Sequence, residues 1–237
     1  MERPYRDLAQ LVLHTRQGID YRVDVVNRGG VAAIVAAHGG CIEPLTSELA
    51  TALAGDEYSL FDFHGLVEGP RLRVPIVSFS ELRLTSLLQG GKTAVSVDGI
   101  RGNEPVAHVG GANQRLASLA RASLMAADIQ AKNAIAPKLV ESPSRFFNQP
   151  SEGGIHIELT EALRLSMTQA PWAELGWSDP QSWTPVFHAF VQAVRQALGQ
   201  YRAQVADDLD LTLERFERET DAIPKTLRNS YHDHSHN

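Results

Sequence analysis

Cysteine is nearly absent from this chain: Cys41 stands alone among 237 residues, so no intrachain disulfide can staple the fold. A single thiol suits a reducing compartment, and a cytoplasmic location is the expectation. There is no excess of basic charge. Lys and Arg number 22 against 28 Asp and Glu, giving a net charge of −6, and no run of basic residues stands out. That balance argues against the broad positive footprint of a nucleic-acid binder. No apolar run approaches the ~20 residues that cross a bilayer, so no membrane partner is expected. The opening Met1-Glu-Arg-Pro-Tyr-Arg-Asp lacks the apolar segment of a secretory leader. Aromatic residues are only 7% of the chain, yet 43% is apolar overall, enough for a well-buried core of mainly aliphatic side chains.

What is present is an alternation. Residues 31–37 are a near-continuous apolar run of strand length, the pattern of a strand buried on both faces. Residues 21–27, 58–63, 72–79, 93–97 and 155–159 also read as strands. Helical segments are expected over residues 5–17, 44–54, 80–89 and 113–127, punctuated by Gly55, Gly90-Gly91 and Gly110-Gly111. Strands alternating with helices predict an α/β fold, an open three-layer α/β/α sandwich on a mixed, mostly parallel sheet. The expected division is a core over residues 1–169 and an appendage over 170–237. The appendage begins with a linker holding Trp172, Trp177 and Trp183. Two helices follow, over residues 186–198 and about 201–216, as a helical appendage or a dimerisation hairpin that would make a homodimer. A polar tail carries His232, His234 and His236. An EF-hand reading of Asp207, Asp208, Asp210 and Glu214 fails for want of the turn glycine and the ligand spacing.

The chemistry concentrates where the apolar run of residues 31–37 stops, at His38-Gly-Gly-Cys-Ile-Glu43. Imidazole nitrogen and carboxylate oxygen are both zinc donors, and a Gly-Gly turn lets the chain fold back sharply so that both side chains can face one point. A backbone-satisfied His and a Glu favoured near a helix N-terminus are the plain alternative. Cys41 reads as a small buried residue. Asp98 and Glu158 also lie at or near strand ends, where ligands of open α/β sheets sit. In Ile155-His-Ile-Glu-Leu159, a period of two places His156 and Glu158 on one face and three aliphatics on the other.

The segment from Ala37 to Glu48 resembles the signature of the phage-type poly-γ-glutamate hydrolases. The likeness begins at Gly18-Ile-Asp-Tyr-Arg22. It continues through Val95-Ser-Val-Asp-Gly-Ile-Arg-Gly102, Val109-Gly-Gly111, Gly154-Ile-His-Ile-Glu-Leu-Thr160 and Leu163-Arg164. It implies a zinc-carboxypeptidase-like core and hydrolysis of γ-glutamyl amide bonds by a water activated by zinc. His38 and Glu43 match the first two zinc ligands, and Glu158 matches the catalytic Glu, a general base. The third ligand departs: the family has a His where this chain has Asp98. The family also has a His in the preceding strand region, at the position aligned with Ser78. A His/Glu/Asp set is a harder, more anionic donor set that would tolerate manganese better than His/Glu/His. His64, His108 and His156 are nearby substitutes. Arg101, then Arg145 and Arg164, are candidates for the carboxylates of an acidic polymer or small acidic amide substrate. The expectation is thus a metal-dependent amidohydrolase. The alternative is a catalytically silent member that binds an acidic ligand or a protein partner.

Overall fold

The computed structural model describes residues 5–67, 70–169 and 179–221. Among the described residues seven strands form one mixed sheet: β1 (Tyr21–Val26), β2 (Ala32–Gly40), β3 (Ser59–Gly65), β4 (Thr93–Ile100), β5 (Ala107–Gly110), β6 (Ala131–Asn133) and β7 (Gly154–Thr160). The spatial order is β1-β3-β2-β4-β7-β5-β6. Four of the six neighbouring pairs are parallel, and β1–β3 and β7–β5 are antiparallel. The helices are α1 (Leu8–His14), α2 (Thr46–Ala54), α3 (Leu82–Gln89), α4 (Gln114–Ala126), α5 (Pro137–Val140), α6 (Glu161–Ser166) and α7 (Pro185–Asp221). The fold class read from the alternation is the one observed. None of the helices among the described residues is long and apolar enough to cross a membrane.

Side-chain alternation divides the core in two. On one face Ala33, Val35 and Ala37 of β2 and Phe61 and Phe63 of β3 pack with Leu84, Leu87 and Leu88 of α3, and with Phe79, Phe146 and Phe147 from connecting segments. The other face of β2, β3 and β4 is covered by α2. Local chemistry sets the helix starts. Asp7, Asn113 and Thr160 each accept a backbone N–H of the first turn of α1, α4 and α6, and Glu81 does so for α3.

Two expectations fail. Residues 72–79 are not a strand: short 3-10 turns at Pro70–Leu72 and Ile76–Ser78 flank Pro75. Proline supplies no N–H to a ladder, so the segment crosses the sheet's end as a loop with Val74 and Phe79 buried. The two C-terminal helices are one, α7, with no turn between them. Gly199 lies inside it, where a single glycine weakens a helix without ending it. The chain divides into two compact units, Met1–Leu198 and Gly199–Asn237. In the first, Phe187, Phe190, Val194 and Leu198 of α7 are buried, and Arg195 donates to the Leu53 carbonyl at the end of α2. Trp172, Trp177 and the three tail histidines lie outside the described residues.

Candidate metal centre

His38, Asp98 and Glu158 each stand two residues before the last residue of their strand, β2, β4 and β7. Asp98 and Glu158 are register partners, so they share a face, and His108 of β5 is the next partner along. Simple alternation would send His38 to the opposite face, because Ala36 pairs with Val97. A bulge corrects this. Between Ala36 and Gly39 the β2 strand carries one more residue than β3, since Ala36 pairs with Asp62 and Gly39 with His64. The extra residue reverses the alternation and turns His38 onto the face of Asp98, a use bulges commonly serve near active sites. The result is a row across four neighbouring strands: His38, Asp98, Glu158, His108.

The turn after β2 brings Glu43 to the row. Gly40 has φ +59° and Leu45 has φ +78°, the latter a left-handed conformation that a leucine adopts only under constraint. The Glu43 N–H donates to the His38 carbonyl at 3.0 Å, and the Thr46 hydroxyl donates to the Glu43 carbonyl at 2.7 Å. Ser47 locks the turn from below. Its Oγ accepts from Gly40 N–H at 2.8 Å, donates to Asp62 Oδ1 at 2.9 Å, and lies 3.0 Å from His64 Nδ1.

His38, Glu43 and Asp98 are all buried, and one donor atom from each lies within 4.8 Å of the others. His38 Nε2 lies 2.8 Å from the Val74 carbonyl. A carbonyl only accepts, so Nε2 carries a proton. Nδ1 then faces Asp98 Oδ1 at 2.7 Å and Glu43 Oε1 at 3.7 Å. With Nδ1 unprotonated and both carboxylates ionised, three acceptors converge with no donor among them. Such a set needs a cation or a proton at its centre. Backbone anchoring of the far imidazole nitrogen is the usual way a metal-binding histidine is oriented. The residues present therefore fit a metal ion. Glu43 Oε2 accepts the Gly99 N–H, leaving Oε1 toward the centre.

The electrostatics agree. Burial, then the neighbouring Asp98 charge, pushes the Glu43 carboxyl well above its ordinary range. Burial opposes ionisation of Asp98, but His38 and then the neighbouring Glu43 carboxyl outweigh it and hold that carboxyl below its ordinary range. Burial and Asp98 also raise Glu158, which remains one-fifth exposed. His156 is lowered to about 4 by burial, so its ring is neutral at pH 7. It stacks on Phe147 with ring centroids 4.9 Å apart, and its Nε2 lies 3.9 Å from both Asp98 Oδ2 and Glu158 Oε1.

The structure sorts the other candidates. His64 is on the α2 face with Ser47 and Asp62, away from the row. His156 borders the centre through Asp98. Ser78 sits in a 3-10 turn, and Cys41 is half-buried rather than buried. Arg164 is buried and donates to the Pro44 carbonyl. Arg145 Nε donates to the Leu139 carbonyl, and Arg101 is exposed just past β4. Sequence reasoning missed Arg73, whose Nη2 lies 2.7 Å from Glu43 Oε1. It lay inside the segment read as a strand, and nothing in its spacing marked it.

Comparison with known proteins points one way. A family model described as poly-gamma-glutamate hydrolase matches residues 5–193. The YndL protein of Bacillus subtilis (strain 168) is 29% identical over 153 residues, 62% of this chain and 60% of that relative's length. Among solved structures, a bacteriophage poly-gamma-glutamate hydrolase superposes with a TM-score of 0.79 at 24% identity, covering 86% of this chain and all of the other. A zinc-free structure of YndL superposes with a TM-score of 0.76 at 26% identity, covering 84% of this chain and 98% of the other.

Proposed function

The chain belongs to the poly-gamma-glutamate hydrolase family, and on that premise we propose that it is a metal-dependent amidohydrolase cleaving γ-glutamyl amide bonds. The observation that carries the reading is the convergence of His38 Nδ1, Glu43 Oε1 and Asp98 Oδ1, three acceptors around one point with the other imidazole nitrogen committed to Val74. One nitrogen and two carboxylate oxygens suit zinc, with manganese accommodated by the second carboxylate. The superposed YndL structure is a zinc-free form, which points to zinc as the ion that relative takes up. When bound, such an ion supplies Lewis acidity, polarising a carbonyl and acidifying a water.

The remaining steps fall to the chain's own groups. Glu158 is the one carboxylate of the row with partial solvent access, and its raised pKa brings it nearer the range of a working base. It takes a proton from the attacking water as the new C–O bond forms. It delivers that proton to the departing amine nitrogen as the C–N bond breaks. Phe79, edge-on to the His38 ring, and Phe147 on His156 keep water from the inner side of the row. A γ-linked glutamyl chain carries a free carboxylate on every residue, which fits a site bordered by arginines.

A second reading rests on the 2.7 Å between His38 Nδ1 and Asp98 Oδ1. That is the length of a charge-assisted hydrogen bond, and it would satisfy a silent relative that holds a proton in place of a metal. Purified protein, supplied with zinc or manganese and poly-γ-glutamate, separates the two. Depolymerisation that is lost in Glu158→Gln supports the hydrolase. Equal rates in the two proteins, or none in either, removes it.

A further inference from the structure

Glu43 Oε1 is the carboxylate oxygen that faces His38 Nδ1, so it is the atom a metal would claim. It is already engaged. Arg73 Nη2 approaches it to 2.7 Å, yet without the alignment of a hydrogen bond, because the oxygen has no hydrogen-bond partner of acceptable geometry. A second Arg73 contact, from the same nitrogen to the Gly99 carbonyl, is long at 3.5 Å. Arg73 comes from the loop between the 3-10 turns at Pro70–Leu72 and Ile76–Ser78, and one-third of its side chain is exposed. Its charge favours the ionised form of Glu158 as well as that of Glu43. Arg164, by contrast, is buried on the Pro44 carbonyl, and Arg145 is tied to Leu139.

We propose that Arg73 is the carboxylate anchor of this site, parked on Glu43 until a metal ion takes that oxygen and then released to the substrate's carboxylate. The proposal rests on the metal-dependent reading above. A cation on Glu43 Oε1 cannot share that oxygen with a guanidinium at no cost, since the two positive charges repel at close range in a buried setting. The guanidinium then turns outward with its paired N–H groups unclaimed, the geometry that suits a carboxylate. Metal and acidic ligand thereby help each other bind, and the coupling is reciprocal. The natural ligand is a carboxylate held about one side-chain length from the scissile amide, as each γ-linked glutamyl residue provides.

Glutarate is the probe. Calorimetric titration into metal-free and zinc-loaded protein, with zinc content measured by mass spectrometry, reads the coupling directly. The zinc-loaded wild type is expected to bind glutarate at least about tenfold more tightly than the metal-free form. Zinc-loaded Arg73→Gln should lose about tenfold or more, and Arg73→Lys, which keeps the charge but not the fork, should fall between. Equal glutarate affinity with and without zinc in the wild type overturns the handover. Equal affinity in zinc-loaded wild type and Arg73→Gln overturns the anchor. Loss of zinc uptake in Arg73→Gln assigns the residue to holding the site and overturns the proposal too. A wild type that takes up no zinc refutes the metal-dependent reading itself, a failure distinct from these.

Discussion

Replacing Gly39 with alanine is expected to unsettle the metal centre from the opposite face of the sheet. A Cβ at Gly39 would overlap both Asp62 Oδ1 and Ser47 Oγ. Neither atom can retreat freely. Ser47 Oγ is held at 2.8 Å by Gly40 N–H, at 2.9 Å by Asp62 and at 3.0 Å by His64. Relief therefore requires either a shift of the β2 bulge or the loss of buried hydrogen bonds around Ser47. Overpacking costs roughly 1–3 kcal/mol, and leaving a buried polar group unsatisfied costs a similar amount, so either route loses about 1–3 kcal/mol. Urea unfolding of metal-free protein measures that loss. Because the bulge also sets the direction of His38, zinc affinity should fall by at least about tenfold when tested in conditions where the variant stays folded. Adding Ser47→Ala removes one of the two clashing atoms and should recover part of the stability but not the metal affinity. A Gly39→Ala protein within about 0.5 kcal/mol of wild type, with unchanged zinc affinity, would refute the claim that the bulge orients the site.

Other outcomes follow from the same geometry. Glu158→Gln should lower turnover about 10²–10⁴-fold while zinc uptake stays intact, measured by release of new amine ends and by metal analysis. Asp98→His should strengthen zinc relative to manganese in competition titrations, because imidazole is the softer donor. In the metal-free protein His156 resists protonation down to about 4, below its unfolded value. The unfolded state thus binds more protons between pH 6.5 and 4, so wild-type stability falls as pH drops through that window. His156→Gln lacks this contribution, and its stability relative to wild type should improve by about 3 kcal/mol between pH 7 and 4 by urea unfolding. Phe147→Ala removes both the stacked ring and a fully buried side chain, and should cost about 3–5 kcal/mol.

Much of this architecture was legible in the order of residues, and the misses have physical causes. Strands β2, β4 and β7 are apolar enough to be recognised as buried, and their ends pointed to His38, Asp98 and Glu158. Alternation within 155–159 correctly paired His156 with Glu158. The bulge in β2 was not legible, because an extra residue in a strand leaves the same apolar run behind; only pairing with β3 reveals it. Residues 72–79 misled because Val74, Ile76 and Phe79 are apolar at strand-like density, while Pro75 forbids the ladder. That error hid Arg73, whose role depends on a loop crossing the sheet's end. The short strands β5 and β6 were missed since three or four residues carry little periodicity. The helix α7 was divided in two because Gly199 looks like a boundary, whereas apolar side chains on both sides of the Phe190–Val194 turn hold its first half in the core.

The central claim is that His38, Glu43 and Asp98 together hold a metal ion. Diffraction from zinc-soaked crystals, recorded on both sides of the zinc absorption edge, tests it most directly. One strong anomalous peak is expected at about 2.0–2.2 Å from His38 Nδ1, Glu43 Oε1 and an Asp98 carboxylate oxygen. A fully soaked crystal with no peak among those three atoms, or with its peak at Asp62 and His64 instead, would contradict it.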